Sequence, residues 1–116
     1  MIKIYHNPRC SKSRQGLEIL ENSKVNFEIV EYLKNPLTKE EVKQIISSLK
    51  IKPIELVRTN ETDWKDNFKG KNLSDEEIVT ALVNYPKLIE RPIVISDKKG
   101  VIGRPPENIA SFIKNK

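Results

Sequence analysis

The 116-residue chain has one cysteine, Cys10, and one histidine, His6. One cysteine cannot close an internal disulfide, so the disulfide framework of a small secreted domain is excluded. One cysteine and one histidine are too few ligands for a zinc site, and we expect no bound metal or cofactor. The chain has no apolar run long enough to cross a membrane, and charged residues interrupt any signal-peptide core. These absences predict a cytoplasmic protein.

The charge of the chain is basic, with 21 lysines and arginines against 16 acidic residues. The basic residues are scattered among acidic ones, and no aromatic residues alternate with a basic stripe. This pattern argues against direct nucleic-acid binding and favours small anionic substrates. At this length we expect a single domain with one modest core, and a monomer.

The order of the predicted elements indicates an α/β fold. Residues 1–5 alternate like a strand, apolar residues recur at helical spacing after residue 16, and residues 26–32 are rich in strand-forming types. This βαβ unit implies two parallel strands. Near the other end, residues 93–95 and 101–102 flank turn residues 97–100 and predict an antiparallel hairpin. A closing helix follows, with its inward residues predicted to be Ile109, Phe112 and Ile113.

The middle of the chain predicts helices. Thr38 with Glu41 and Ser74 with Glu77 have capping-box spacing, and Pro53 suits the first turn of a shorter helix. The total is βαβ, a helical insert over about residues 37–88, and ββα. That order predicts a thioredoxin-like fold with a mixed sheet, in one domain across residues 1–116.

Cys10 stands where the first predicted strand turns into the first helix. The unpaired N–H groups of a helix start and its positive dipole lower the pKa of a thiol there, and the thiolate is the nucleophile. Arg9, Lys12 and Arg14 add positive charge nearby. A lone cysteine in an intracellular protein is, however, most often a small buried apolar residue. Local sequence alone leaves both interpretations open.

Four segments carry a resemblance to a known family. In order they are YHNPRCSKSR (5–14), LVRTN (56–60), LIERPIV (88–94) and GRPPE (103–107). In motif order and spacing the chain resembles the glutaredoxin-coupled arsenate reductases of the arsenate reductase/Spx superfamily.

The resemblance implies roles for single residues. Cys10 would attack the arsenic of arsenate, with His6 favouring the thiolate and Ser13 near the sulfur. The oxyanion would be bound by three arginines, whose planar forks suit such oxygens: Arg58, Arg91 and Arg104. The resemblance also makes Pro92 a candidate for a cis peptide bond.

The thiol count implies an external reductant. Ser13 stands where a dithiol oxidoreductase carries its second cysteine, so the chain supplies no resolving thiol. The resemblance therefore implies glutathione as the reducing co-substrate and glutaredoxin as the partner that regenerates Cys10.

Two other functions stay open. Spx-type redox-sensing transcriptional regulators share the fold and the Arg-Pro segment and bind RNA polymerase, but they commonly carry Cys-x-x-Cys. A glutathione-dependent thiol reductase could use the same arginines for a glutathione carboxylate. The Cys-x-x-Ser pattern and the complete set of three arginines favour the arsenate reductase.

Overall fold

A computed structural model describes residues 2–114 of the chain. It divides into two compact units: the first comprises Met1–Asn35 and Arg91–Lys116, and the second is Pro36–Glu90. The single-domain organisation stays a prediction. No helix within residues 2–114 is long and apolar enough to span a membrane.

The helices and strands follow one another in an order close to the predicted one. They are β1 (Ile2–Tyr5), α1 (Ser11–Asn22), β2 (Phe27–Val30), α2 (Lys39–Leu49), a 3₁₀ helix (Pro53–Leu56), α3 (Thr62–Asn67), α4 (Asp75–Asn84), a 3₁₀ helix (Pro86–Leu88), β3 (Ile93–Ser96), β4 (Lys99–Ile102) and α5 (Glu107–Lys114).

The first unit contains a mixed sheet with strand order β2-β1-β3-β4. β1 runs parallel to β2 and antiparallel to β3, and β4 returns antiparallel to β3. The parallel pair needs the crossover through α1, whereas β3 and β4 need only a tight turn. This arrangement confirms the predicted βαβ and ββα halves.

The core of the first unit includes residues of the sheet, α1 and α5. Its buried members are Ile2, Ile4, Leu20, Val94 and Ile109. Phe112 and Ile113 pack against this cluster as partly buried residues, so the predicted inward face of the closing helix is confirmed.

Two predicted boundaries were wrong. β2 ends at Val30 rather than at residue 32, because Tyr32 lies in a turn, where its ring is completely buried. The hairpin turn is shorter than predicted, since Asp97 adopts a positive φ of 57° and the chain re-enters the sheet at Lys99. A left-handed residue reverses the chain within a short turn.

The second unit is mostly helical, and both predicted capping boxes are present. The Glu41 amide donates to Thr38 Oγ1 at 3.1 Å, while the Thr38 amide donates to Glu41 Oε1 at 2.9 Å. Ser74 and Glu77 start α4 in the same reciprocal way. These bonds satisfy amides that a helix start would otherwise leave without acceptors.

Gly16 and Gly103 pack closely against Pro92 and Ile109 in the first unit. The peptide bonds before Pro92 and Pro105 are both cis; the first was predicted from the resemblance and the second was not. A Cβ on Gly103 would lie 2.6 Å from Ile109 Cδ1 and 2.9 Å from Pro92 Cγ, and one on Gly16 would lie 2.7 Å and 2.8 Å from the same two atoms. A side chain at either position would therefore force Ile109 and Pro92 to shift.

We expect Gly103→Ala to lower the free energy of unfolding by about 1–3 kcal/mol, because the new methyl group overpacks a fully buried contact. Urea denaturation measures the loss. Ile109→Val removes Cδ1, the nearer of the two carbon atoms that the alanine would meet, so the double variant should lose less than the sum of the two single losses. Strictly additive losses would contradict the packing explanation.

Candidate active site

The loop between β1 and α1 fixes the backbone of Cys10. The Cys10 amide donates to the Asn7 carbonyl at 3.0 Å, and the Arg9 amide donates to Asn7 Oδ1 at 3.0 Å. These two bonds close a tight turn, with Pro8 at a position that favours it. Cys10 then has extended backbone angles and is the N-cap of α1. The predicted position of Cys10, directly before a helix, is confirmed.

The sheet brings two predicted arginines to the same end of the first unit as Cys10. Tyr5 pairs with Ile93, and Ile93 pairs with Ile102. Arg91 precedes β3 and Arg104 follows β4, so both emerge where β1 ends and the Cys10 loop begins. Residues far apart in the sequence therefore meet through strand register alone.

Both arginines act on the sulfur of Cys10. Arg104 Nη2 lies 3.7 Å from Cys10 Sγ, within hydrogen-bond reach for a sulfur acceptor. Arg104 Nε donates to the Arg91 carbonyl at 2.8 Å, which fixes the plane of its guanidinium. The Arg91 side chain is buried and also hydrogen-bonds to the sulfur.

The pKa of the Cys10 thiol is lowered from its ordinary value. Partial burial is the largest influence and raises the pKa, but the Ser13 amide, the hydrogen bond and charge of Arg91, and the Lys12 amide together outweigh it. The sulfur forms no N-cap hydrogen bond of regular geometry, so the amides act mainly as dipoles. The side chains of Arg9, Lys12 and Arg14, which the sequence argument invoked, are not among the causes of this shift.

His6 and Ser13 form a buried pair near Cys10. His6 Nδ1 lies 2.6 Å from Ser13 Oγ, and the Asn7 amide donates to the same oxygen at 2.9 Å. Burial lowers the pKa of His6 from 6.5, against the raising effects of Glu31 and of the Ser13 backbone. Burial therefore favours the neutral form of His6, and its ring contacts the Ser13 hydroxyl.

Arg58 belongs to the second unit. Its Nε lies 3.8 Å from Glu90 Oε1, and the side chain is 24% exposed. Its Nη1 is buried and has no hydrogen-bond partner among the described residues. Arg58 is thus described only within the second unit. The structure places the other five predicted site residues in the first unit: Cys10, His6, Ser13, Arg91 and Arg104.

The sequence did not lead us to predict two contacts: those of Asn7 within the Cys10 loop, and the ion pair of Glu90 with Arg58. Asn-Pro after a strand is a turn signal, so the role of Asn7 in the turn could have been predicted from the sequence. No local pattern connects Glu90 with Arg58. Within residues 2–114, no group of three or more histidine, cysteine, aspartate and glutamate side chains is arranged to hold a metal ion.

Comparison with known proteins gives consistent matches. The model of the ArsC family matches residues 5–112. The uncharacterized protein YfgD of Escherichia coli is 41% identical over 97% of this chain and 96% of its own length. An arsenate reductase of Neisseria meningitidis is 38% identical over 97% of both chains.

A solved structure gives the same answer for the fold. The arsenate reductase from Vibrio cholerae superposes with a TM-score of 0.90, at 38% identity and over 95% of each chain. The sequence and structure matches confirm both the predicted thioredoxin-like fold and the resemblance.

We expect Arg91→Gln to raise the pKa of the Cys10 thiol, because the substitution removes a charge and a hydrogen bond that favour the thiolate. The thiolate fraction at pH 7 then falls, and alkylation by iodoacetamide slows; at pH values above both pKa values the two rates converge. The pH profile of alkylation measures the shift.

Lys98→Gln is the matched control for this experiment. Lys98 is exposed in the turn at the opposite end of β3 from Arg91. Its substitution by glutamine removes one positive charge, as Arg91→Gln does. Identical profiles for Arg91→Gln and Lys98→Gln would show that only net charge matters, against the local role of Arg91.

Proposed function

Because the chain belongs to the ArsC family, we propose that it is an arsenate reductase in which Cys10 is the nucleophile. The observation that carries the proposal is the placing of Arg91 and Arg104 on the sulfur of the chain's only cysteine. Relatives named arsenate reductases, 38% and 39% identical over nearly their whole lengths, support it.

The arginines solve the problem of bringing two anions together. Arsenate is a tetrahedral oxyanion with one to two negative charges near neutral pH, so a thiolate is repelled by it. Arg91 and Arg104 supply permanent charge and N–H donors at the sulfur, where the arsenic must approach. The same donors stabilise the charge that develops on the oxygens during attack. Arg58 is included as the third arginine on the resemblance alone.

The proposed reaction transfers two electrons from thiols to arsenic. The Cys10 thiolate forms a sulfur–arsenic bond as one arsenate oxygen leaves as water. Glutathione thiolate then forms a disulfide with the Cys10 sulfur, the sulfur–arsenic bond breaks, and its electron pair stays on arsenic, which leaves as arsenite. Glutaredoxin takes the glutathione from the mixed disulfide and returns Cys10 to the thiolate.

An internal resolving thiol is not available for this cycle. The chain has no second cysteine, and Ser13 is fully buried with its hydroxyl bonded by His6 and by the Asn7 amide. The reductant must therefore come from outside. In this proposal the enzyme acts as a monomer in the cytoplasm, where glutathione keeps thiols reduced.

The test is arsenite formation by the purified protein with arsenate, glutathione and glutaredoxin. We expect turnover that falls to the protein-free level in Cys10→Ser, and a loss of about 10²-fold in kcat/KM for Arg104→Gln, which removes a donor at the reacting atoms. Lys98→Gln should match the wild-type protein. A wild-type protein that does not turn over while its thiol pKa is low would contradict the proposal and favour the regulator or another thiol substrate.

A further inference from the structure

We propose that Glu90 is a positioning residue, which holds the guanidinium of Arg58 by its Nε edge and leaves Nη1 to bind an oxyanion. The inference rests on the proposed function, in which Arg58 binds arsenate. It is drawn from the geometry of the second unit alone.

A short stretch of antiparallel pairing fixes the backbones of both residues. The Arg58 amide donates to the Leu88 carbonyl at 2.7 Å, and the Glu90 amide donates to the Leu56 carbonyl at 2.8 Å. Between these bonds, an isolated bridge joins Val57 and Ile89. Their side chains are 6% and 1% exposed, so the pairing is anchored in buried surface.

This pairing puts Arg58 and Glu90 on one face. Side chains alternate along extended backbone, so the residues that flank the buried Val57 and Ile89 point to the opposite side. Arg58 and Glu90 are then diagonal neighbours, at a distance that long side chains can bridge. The backbone hydrogen bonds do not depend on either side chain, so a substitution at position 90 leaves the pairing in place.

The ion pair restrains Arg58 without using up its donors. Arg58 Nε and Glu90 Oε1 are 3.8 Å apart, beyond hydrogen-bond length but within the range of a salt bridge. The two side chains are 24% and 26% exposed, so solvent screens their attraction less than it would screen a surface pair. Glu90 therefore orients one edge of the guanidinium.

The other edge of the guanidinium offers a free donor. Arg58 Nη1 is buried without a hydrogen-bond partner among residues 2–114, and a charged donor in that condition costs free energy. An oxygen of a tetrahedral oxyanion would satisfy it with a charge-assisted hydrogen bond. The guanidinium is thus divided between an orienting carboxylate at Nε and a ligand at Nη1.

Positioning and simple charge predict opposite results for Glu90→Gln. The glutamine keeps the shape of the side chain but removes a negative charge, which by itself would strengthen the binding of an anion. If Glu90 orients Arg58, the loss of that restraint weakens binding instead. We expect the KM for arsenate to rise about five-fold, the upper end for a partly exposed ion pair, with kcat unchanged.

Two further variants isolate the effect. Glu40→Gln in the exposed first turn of α2 removes the same charge and should leave KM unchanged. In an Arg58→Gln background, Glu90→Gln should have no further effect, because the residue it orients is gone. An equal rise in both backgrounds, or a fall in KM in the single variant, would overturn the positioning role.

Protection of Cys10 separates this inference from the proposed reaction. The arsenate concentration that halves iodoacetamide alkylation of Cys10 reports binding without requiring reduction, and it should also rise about five-fold in Glu90→Gln. If arsenate protects Cys10 but is not reduced, the reductase is overturned. The change in the half-protecting arsenate concentration in Glu90→Gln then still supports or refutes the role of Glu90. If the protein turns over but the half-protecting arsenate concentration does not change in Glu90→Gln, the positioning role alone is overturned. If the wild-type protein shows no turnover and no protection, both proposals are overturned.

Discussion

The electrostatic stabilisation of the Cys10 thiolate is the interaction on which the candidate site depends. A thiol in a partly buried place has its pKa raised by desolvation, and here that effect is exceeded by amides at the start of α1 and by Arg91. Arg104 reaches the same sulfur, with its plane held on the Arg91 carbonyl. The first unit supplies these groups from three places: the start of α1, the segment before β3 and the segment after β4.

The packing beneath the site follows from this requirement. β3 must begin and β4 must end beside the start of α1, and the backbone around Pro92 therefore comes close to α1 and α5. Gly16 and Gly103 permit that approach, because any side chain there would meet Ile109 and Pro92. Ser13 and His6 are buried, with the Ser13 hydroxyl 2.6 Å from His6 Nδ1. Pro92 directly follows Arg91 and Gly103 directly precedes Arg104, so this packing contact adjoins both arginines in the chain.

Local signals predicted the fold well, whereas contacts across the fold were predicted poorly. Capping boxes at Thr38 and Ser74 and the strand-to-helix position of Cys10 are encoded within a few residues, and all three predictions were confirmed. The length of the hairpin turn was wrong, because it depends on the left-handed backbone of Asp97. The source of the lowered thiol pKa was predicted in part. The amides at the start of α1 contribute as expected, but the charges of Arg9, Lys12 and Arg14 do not, and strand register brings Arg91 from another element instead.

In the proposed reaction, the single thiol of this chain carries the covalent step and an outside thiol completes it. The direct measurement is the intact mass of the protein, acid-quenched after one turnover with arsenate and glutathione in the absence of glutaredoxin. We expect arsenite in solution and one glutathione joined to Cys10 by a disulfide. Arsenite released while Cys10 stays unmodified throughout the time course would contradict it.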